Sequence, residues 1–248
     1  VAKQSGLGDN FYVGGYNMSG DTASLDEVGG GPAVIDVTGI DKSAFERIGG
    51  LRDGRIEWTS HFNPAEGQQH EVLASLPSSD RHLMYFRGTT LGGPAAALVG
   101  KQLNYDWSRG DDGKISMKIR AEANGYGIEW GQSLTAGRRT DTAATNGTAV
   151  DFGTGSTTFG AQFYLQVFSF TGTDITFTVE ESSDDGADAY AAVTGGAFTQ
   201  VTASPAVERI ETARDQTVER YLRVATTGTF TECTFAVVAV RNDTSVVF

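Results

Sequence analysis

Apolar and polar residues alternate with period two along much of this chain, and that alternation predicts antiparallel β-structure. Over 114–123 (KISMKIRAEA), Ile115, Met117, Ile119, Ala121 and Ala123 fall on one side, and Lys114, Ser116, Lys118, Arg120 and Glu122 on the other. One buried and one wetted face is what an antiparallel sheet offers such a segment. Residues 55–62 (RIEWTSHF) repeat the pattern, with Ile56 and Trp58 against Glu57 and Thr59. Further strands are expected at 82–86 and 95–105, although the Ala-rich start of the latter does not alternate. Later come 163–170, 174–180, 221–225 and 234–240, with polar turns such as 182–188 between them. Several short strands at this spacing predict a β-sandwich.

Two short helices interrupt the pattern. Over 42–48, Asp41 or Ser43 can cap the N-terminus, and Ser43 followed by Glu46 fits a capping box. Over 68–76, Val72, Leu73 and Leu76 form one stripe that stops at Pro77. Residues 140–158 (TDTAATNGTAVDFGTGSTT) are small, polar and glycine-rich, the composition of a linker or long surface loop. The expected division is therefore a first unit over 1–145, a linker over 146–157 and a second β-unit over 158–248.

Composition adds bounds. With 248 residues, 39% apolar and 10% aromatic, the chain can build a substantial core. Abundant glycine (32) beside only 5 prolines favours tight turns over stiff linkers. No apolar run reaches the roughly 18 residues of a membrane helix, so membrane insertion is not expected. Residues 1–10 lack the basic-then-apolar profile of a signal peptide, and Val1 is read as a GTG initiation codon taken literally. The single cysteine, Cys233, sits in an apolar run and reads as a small buried hydrophobe.

The net charge of −12 is uneven. Residues 1–145 hold 14 Lys/Arg against 18 Asp/Glu, a net of −4, and residues 146–248 hold 5 against 13, a net of −8. A nucleic-acid-gripping protein needs a basic face to neutralise phosphates, and none is visible.

The chain offers little chemistry. His61, Glu66 and His70 do not have HExxH spacing, and Pro64 and Gly67 break any helix between them. No GxSxG elbow appears. Gly29–Gly31 and Gly49–Gly50 lack the Lys-Ser/Thr of a phosphate loop and read as turn glycines. Asp184, Asp185 and Asp188 read as a solvated turn without the spaced oxygens of a calcium loop. Adjacent carboxylates such as Glu180 and Glu181 face opposite sides of a strand, a poor basis for acid–base catalysis. No enzyme activity, metal or cofactor is expected. Tyr105, Trp107, Tyr126 and Trp130 flank a strand; core packing is the preferred reading, with stacking on sugar rings as the rival.

Word-like segments then carry a resemblance. DVTGIDKSAFERIGGLRD (36–53), with Gly54 and RIEWTSHFN after it, is similar to the major tail tube proteins of long-tailed (siphovirus-type) bacteriophages of actinobacteria. The same holds for SGLGDNFYVGGYNMSGD (5–21), RGTTLGGPAAALVGKQLNYD (87–106), ANGYGIEWGQSLTAGRRTDTAATNGTAVDFG (123–153) and RYLRVATTGTFTECTFAVVAVRN (220–242). The resemblance spans nearly the whole chain but contains no catalytic signature.

It implies a mainly β fold: a tail-tube β-sandwich or barrel with one or two short helices, then a C-terminal β-sandwich on the outer surface. It also implies self-assembly into stacked, usually hexameric rings lining the conduit for genome delivery. The partners implied are further copies of the chain, tape measure, tail terminator and tail tip proteins, and double-stranded DNA in transit without tight binding. The place implied is the virion tail, with assembly in the host cytoplasm.

On that basis Arg55, Glu57, Trp58, Lys114, Lys118, Arg120 and Glu122 are expected on inter-subunit or lumen-facing strands. Asp21, Asp26, Glu27, Arg52 and Asp53 are expected in ring-stacking loops over 20–32 and 49–54. A net of −4 per first unit makes a mildly acidic wall of about −24 in a six-membered ring, which discourages DNA from sticking. The alternative is a carbohydrate-binding or receptor-binding β-sandwich module on a virion surface, which predicts a monomer or trimer with affinity for sugar. A glycan-processing enzyme, with two carboxylates converging in a cleft, ranks third.

Overall fold

The computed structural model describes residues 5–246, so Val1 lies outside the described residues. The first elements are β1 (Asn10–Val13), β2 (Tyr16–Asn17), β3 (Thr22–Asp36), β4 (Arg47–His61), α1 (Gln69–Leu73) and β5 (Arg81–Phe86). Next come β6 (Pro94–Gln102), β7 (Asp106–Arg109), β8 (Ile115–Ala123) and β9 (Glu129–Ser133). Three short strands follow, β10 (Arg139–Asp141), β11 (Thr145–Asn146) and β12 (Val150–Asp151). The last are β13 (Ala161–Ser182), β14 (Ala191–Ala197), β15 (Ala206–Glu211) and β16 (Tyr221–Arg241). All sixteen strands belong to one antiparallel hydrogen-bonded network, so the fold is mainly β.

That network folds back on itself, and side-chain parity shows how. The inward residues of β4 and β8 (Ile56, Trp58, Met117, Ile119) meet Phe11, Leu83, Ala96 and Leu98 in a first core. Alternate residues of the same central strands (Tyr12, Met84, Ala95, Ala97) turn the other way and meet Tyr164, Ala236 and Val238 in a second. Phe163, Leu165, Phe235 and Val237 then face Ile175, Phe177, Val179 and Val224 in a third. Four layers thus enclose three cores. The two inner layers are buried on both faces, so their strands read as continuous apolar runs.

Neighbouring layers are joined at crossings where glycine is required. Strand β6 leaves β8 at Gly100, where a Cβ would lie 2.3 Å from the Glu122 carbonyl oxygen. Strand β9 links β6 to β16 at Gly131, where a Cβ would lie 2.1 Å from the Ala239 carbonyl oxygen. Gly131→Ala is accordingly expected to cost about 1–3 kcal/mol by overpacking, read as a lower urea midpoint. Gly155→Ala, which meets nothing within 4 Å, should stay within about 0.5 kcal/mol of wild type.

Four expectations are corrected here. Residues 42–48 form no helix: Val37 donates to Glu46 O (3.0 Å), Glu46 N donates to Thr38 Oγ1 (2.9 Å), and Ile48 pairs with Ile35 in a hairpin. A one-turn helix there has no apolar surface to pack against, so pairing with β-branched Val34 and Ile35 prevails. The glycine-rich segments 20–32 and 49–54 are not loops but the paired strands β3 and β4, in register from Thr22↔Ser60 to Asp36↔Arg47. Their glycines serve close approach: a Cβ on Gly30 would lie 2.4 Å from Gly54 Cα.

The four late strands are likewise two, β13 and β16, paired end to end through register shifts at Val167/Ser169, Thr171/Gly172 and Gly172/Asp174. These bulges let the ribbon bend over the third core. Within 140–158, β10, β11 and β12 lie against β16 rather than running free. Helix α1, by contrast, sits inside the expected 68–76 span and buries Val72 and Leu73.

Candidate self-association surfaces

Opposite the first core, the outward residues of β3, β4 and β8 form a ladder of charge. Glu27 meets Arg55 (2.7 Å), Arg55 approaches Glu57 (4.0 Å), Glu57 meets Arg120 (3.2 Å), and Arg120 meets Glu122. Arg55 holds the Glu27 carboxyl below its usual range, chiefly by a direct hydrogen bond. Lys118 pairs with Thr59 on the same face. Asp26 joins the face through Thr59 (2.9 Å), so four carboxylates face three cations there and the face is slightly acidic. Lys114 precedes β8 in the turn after β7.

Trp58 belongs to none of this. It is fully buried in the first core, edge-on to Phe11 (centroids 5.0 Å apart), with its indole N–H donating to Gln69 Oε1 (3.4 Å). Because β4 and β8 pair with each other from Arg55↔Glu122 to His61↔Ser116, their facing edges are satisfied within the chain.

The expected stacking residues are dispersed. Asp21 accepts from Asn63 Nδ2 (2.9 Å), at the end of the hairpin where the chain leaves β4. Asp26 accepts from Ser24 Oγ (2.6 Å) and Thr59 Oγ1 (2.9 Å) in mid-sheet. Arg52 and Asp53 stand at the root of an arm that sequence reasoning missed.

Beyond Gly30 and Gly54 the β3–β4 hairpin leaves the body. Seven large apolar side chains on this arm are exposed: Val34, Ile35, Val37, Ile40, Phe45, Ile48 and Leu51, with Phe45 at 68% and Leu51 at 88%. A monomer rarely exposes so much clustered apolar surface. The signal in the sequence is seven β-branched or leucine residues interspersed with glycines over 33–51, a composition that gives strand without giving it a face.

A buried ionic clamp holds the root. Glu129 on β9 accepts from Arg209 Nε and Nη2 (both 3.1 Å) and from the Tyr164 hydroxyl, and Arg52 approaches to 3.8 Å. The Arg209 guanidinium lies 3.7 Å from the Tyr126 ring centroid. Burial opposes its charge, but bonds to Glu129 and the field of Tyr164 and Glu129 outweigh that and raise its pKa. Burial, then the Glu129 charge, raises the pKa of Tyr164.

Elsewhere the candidate chemistry resolves into structure. His70 Nδ1 lies 2.9 Å from the Tyr105 hydroxyl and its ring packs on Phe62. Among the described residues no group of three or more His, Cys, Asp or Glu could hold a metal ion, and no helix is long and apolar enough to cross a membrane. The 182–188 turn closes on itself: Asp184 Oδ1 accepts from Gly186 N and Asp188 N (both 2.9 Å). Cys233 is buried in the third core, and burial pushes its thiol up to about 12. Of the four aromatics, Tyr105 packs inward, but Trp107 (65% exposed) and Trp130 (52%) do not.

One acidic cluster carries a pH prediction. Burial raises the Glu181 pKa, and Asp188 adds to the rise; burial likewise raises Glu219, with Asp188 and Glu181 contributing. A carboxyl raised on folding favours the native state when protonated, and that advantage is lost as pH rises through the folded pKa. Glu181→Gln, which can still accept from Glu219 N (2.8 Å in wild type), should therefore raise the urea midpoint at neutral pH. The difference should close as pH falls below the usual glutamate range.

No protein-family model matches this chain, and no curated protein matches it. Among solved structures, a chain in the virion of a native gene transfer agent particle is similar at TM-score 0.42 and 13% identity, covering 52% of this chain and 98% of that one. The Dit protein of phage SPP1, described as part of a hub adsorption apparatus, gives TM-score 0.34 and 11% identity, covering 93% and 98%. A chain of the phage p2 baseplate gives TM-score 0.34 and 8% identity, covering 96% and 99%.

Proposed function

We propose that this chain is a structural tail protein of a bacteriophage. It assembles with copies of itself into stacked, six-membered rings that form the tail tube through which the genome is delivered. The observation that carries the reading is the arm over 31–53, whose large apolar side chains stand exposed on the described chain. An exposed hairpin with bare apolar side chains and an open strand edge is a liability in a monomer and an asset in a polymer. The segment DVTGIDKSAFERIGGLRD, which resembles tail tube proteins, covers most of this arm.

In this reading the ladder from Glu27 to Glu122 faces the lumen. Its paired charges leave few free cations to hold DNA, whose phosphates would be retained by a basic wall. The later β-unit, with its net of −8 over 146–248, stands on the outer surface, where like charge keeps particles apart. Partners are further copies, the tape measure protein, and the terminator and tip proteins at the two ends. No catalytic step is assigned. Sedimentation velocity of the purified chain over a concentration series tests the reading: large species should grow with concentration. A monomer at every concentration would leave the carbohydrate-binding module as the better reading, supported by the exposed Trp130.

A further inference from the structure

We infer that Trp107 of one copy seats in the groove beside β3 of a second copy, so that the second copy's β3 pairs with β7 (Asp106–Arg109) of the first. This rests on the self-assembly proposed above and names the surface that would serve it. Among the described residues β3 pairs only with β4, and β7 pairs only with β8. The outer layer β3–β4–β8–β7 therefore has two free edges, one at each side. Unpaired backbone donors and acceptors at such edges add strands from another chain. Pairing β7 with the β3 of a second copy is heterologous and repeats from copy to copy, the geometry of a ring where rotation closes it.

Side-chain parity selects this pairing. Trp107 is in register with Met117, a residue of the first core, so its side chain lies on the inner face of the layer. It is nevertheless 65% exposed, because β7 stands beyond the layer that covers that core. At the opposite edge Leu25 and Val28 are in register with Trp58 and Ile56 and also face inward. Beneath them the sandwich is open: a groove of about 480 Å³ runs along Thr22–Val28, floored by Phe11, Tyr85 and Trp130. Extending the layer by β7 keeps inner faces inner, and so places Trp107 over this aromatic floor. The knob on one edge and the hole at the other lie on the same face of the same sheet.

The test uses the full chain. Trp107→Ala should leave the fold intact, since the side chain is largely solvated, and raise the concentration for half-assembly by about tenfold or more, the behaviour of an interface anchor. Trp130→Ala should do the same, and the double variant should be little worse than either alone. Directly, a Trp107→Cys chain mixed with a Leu25→Cys chain should give a disulfide-linked dimer on oxidation, which neither forms alone. If Trp107→Ala fails to fold, the cysteine pair decides. Normal assembly of Trp107→Ala with no mixed disulfide overturns the inference and leaves self-assembly standing. A wild-type chain that never associates overturns both.

Discussion

A Glu129→Ala chain will unfold at a lower urea concentration than wild type, with a loss of about 3 kcal/mol, the lower end for a broken buried ion pair. The Glu129 side chain is 1% exposed and that of Arg209 4%, so removing the carboxylate leaves a buried guanidinium with Glu211, at 2.6 Å and the layer's edge, as its remaining ion-pair partner. The Tyr164 hydroxyl loses its acceptor at the same time. Tyr126 still lies over Arg209, but a cation–π contact recovers only about 0.5–2 kcal/mol. Glu129→Gln keeps the shape and acceptor oxygen, and should fall between. A loss under about 1 kcal/mol for the alanine variant would mean that the clamp is wetter than its burial indicates. Since Glu129 also touches Arg52 at the arm root, the surviving native molecules should hold the arm less firmly, visible as faster amide exchange over 47–53.

The second expected result separates folding from assembly. Replacing Ile35, Phe45, Ile48 and Leu51 together by serine should leave the chain folded, with a loss of at most about 2 kcal/mol, because exposed positions change stability by about 0.5 kcal/mol or less each. The same chain should lose its large species in sedimentation. An apolar side chain that becomes fully covered contributes about 1.5–3 kcal/mol, and a contact deprived of four of them has little left to hold it. A variant that assembles like wild type would show that the arm is not the contact. One that unfolds would show that the arm packs on its own body.

The outer sheet of the first core was legible in the sequence because one of its faces is wet. Ile115 to Ala123 alternates for that reason, and the alternation set Arg120 and Glu122, and separately Glu57, on the polar side of their own strands; the pairing that brings these strands together on one face was not legible. The inner layers were less legible. AAALV on β6 and FAVVAV on β16 are buried on both sides, which removes the period that reveals a strand's orientation.

The long strands were hidden differently. The TGT at 171–173 carries a turn composition, yet Gly172 serves a bulge where a Cβ would lie 2.5 Å from Phe230 Cα. The arm defeated pattern reading because its apolar residues have no core to face, so no period is imposed on them. The clamp joins Arg52, Glu129, Tyr164 and Arg209, residues far apart in sequence and close only through the folding of the sheet; nothing local marks them.

Electron microscopy of the purified, negatively stained full-length chain tests the central claim most directly. Rings with a central channel, or tubes built from them, are the predicted result. Dispersed single molecules at every concentration, with the 31–53 arm folded onto their own surface, would contradict it.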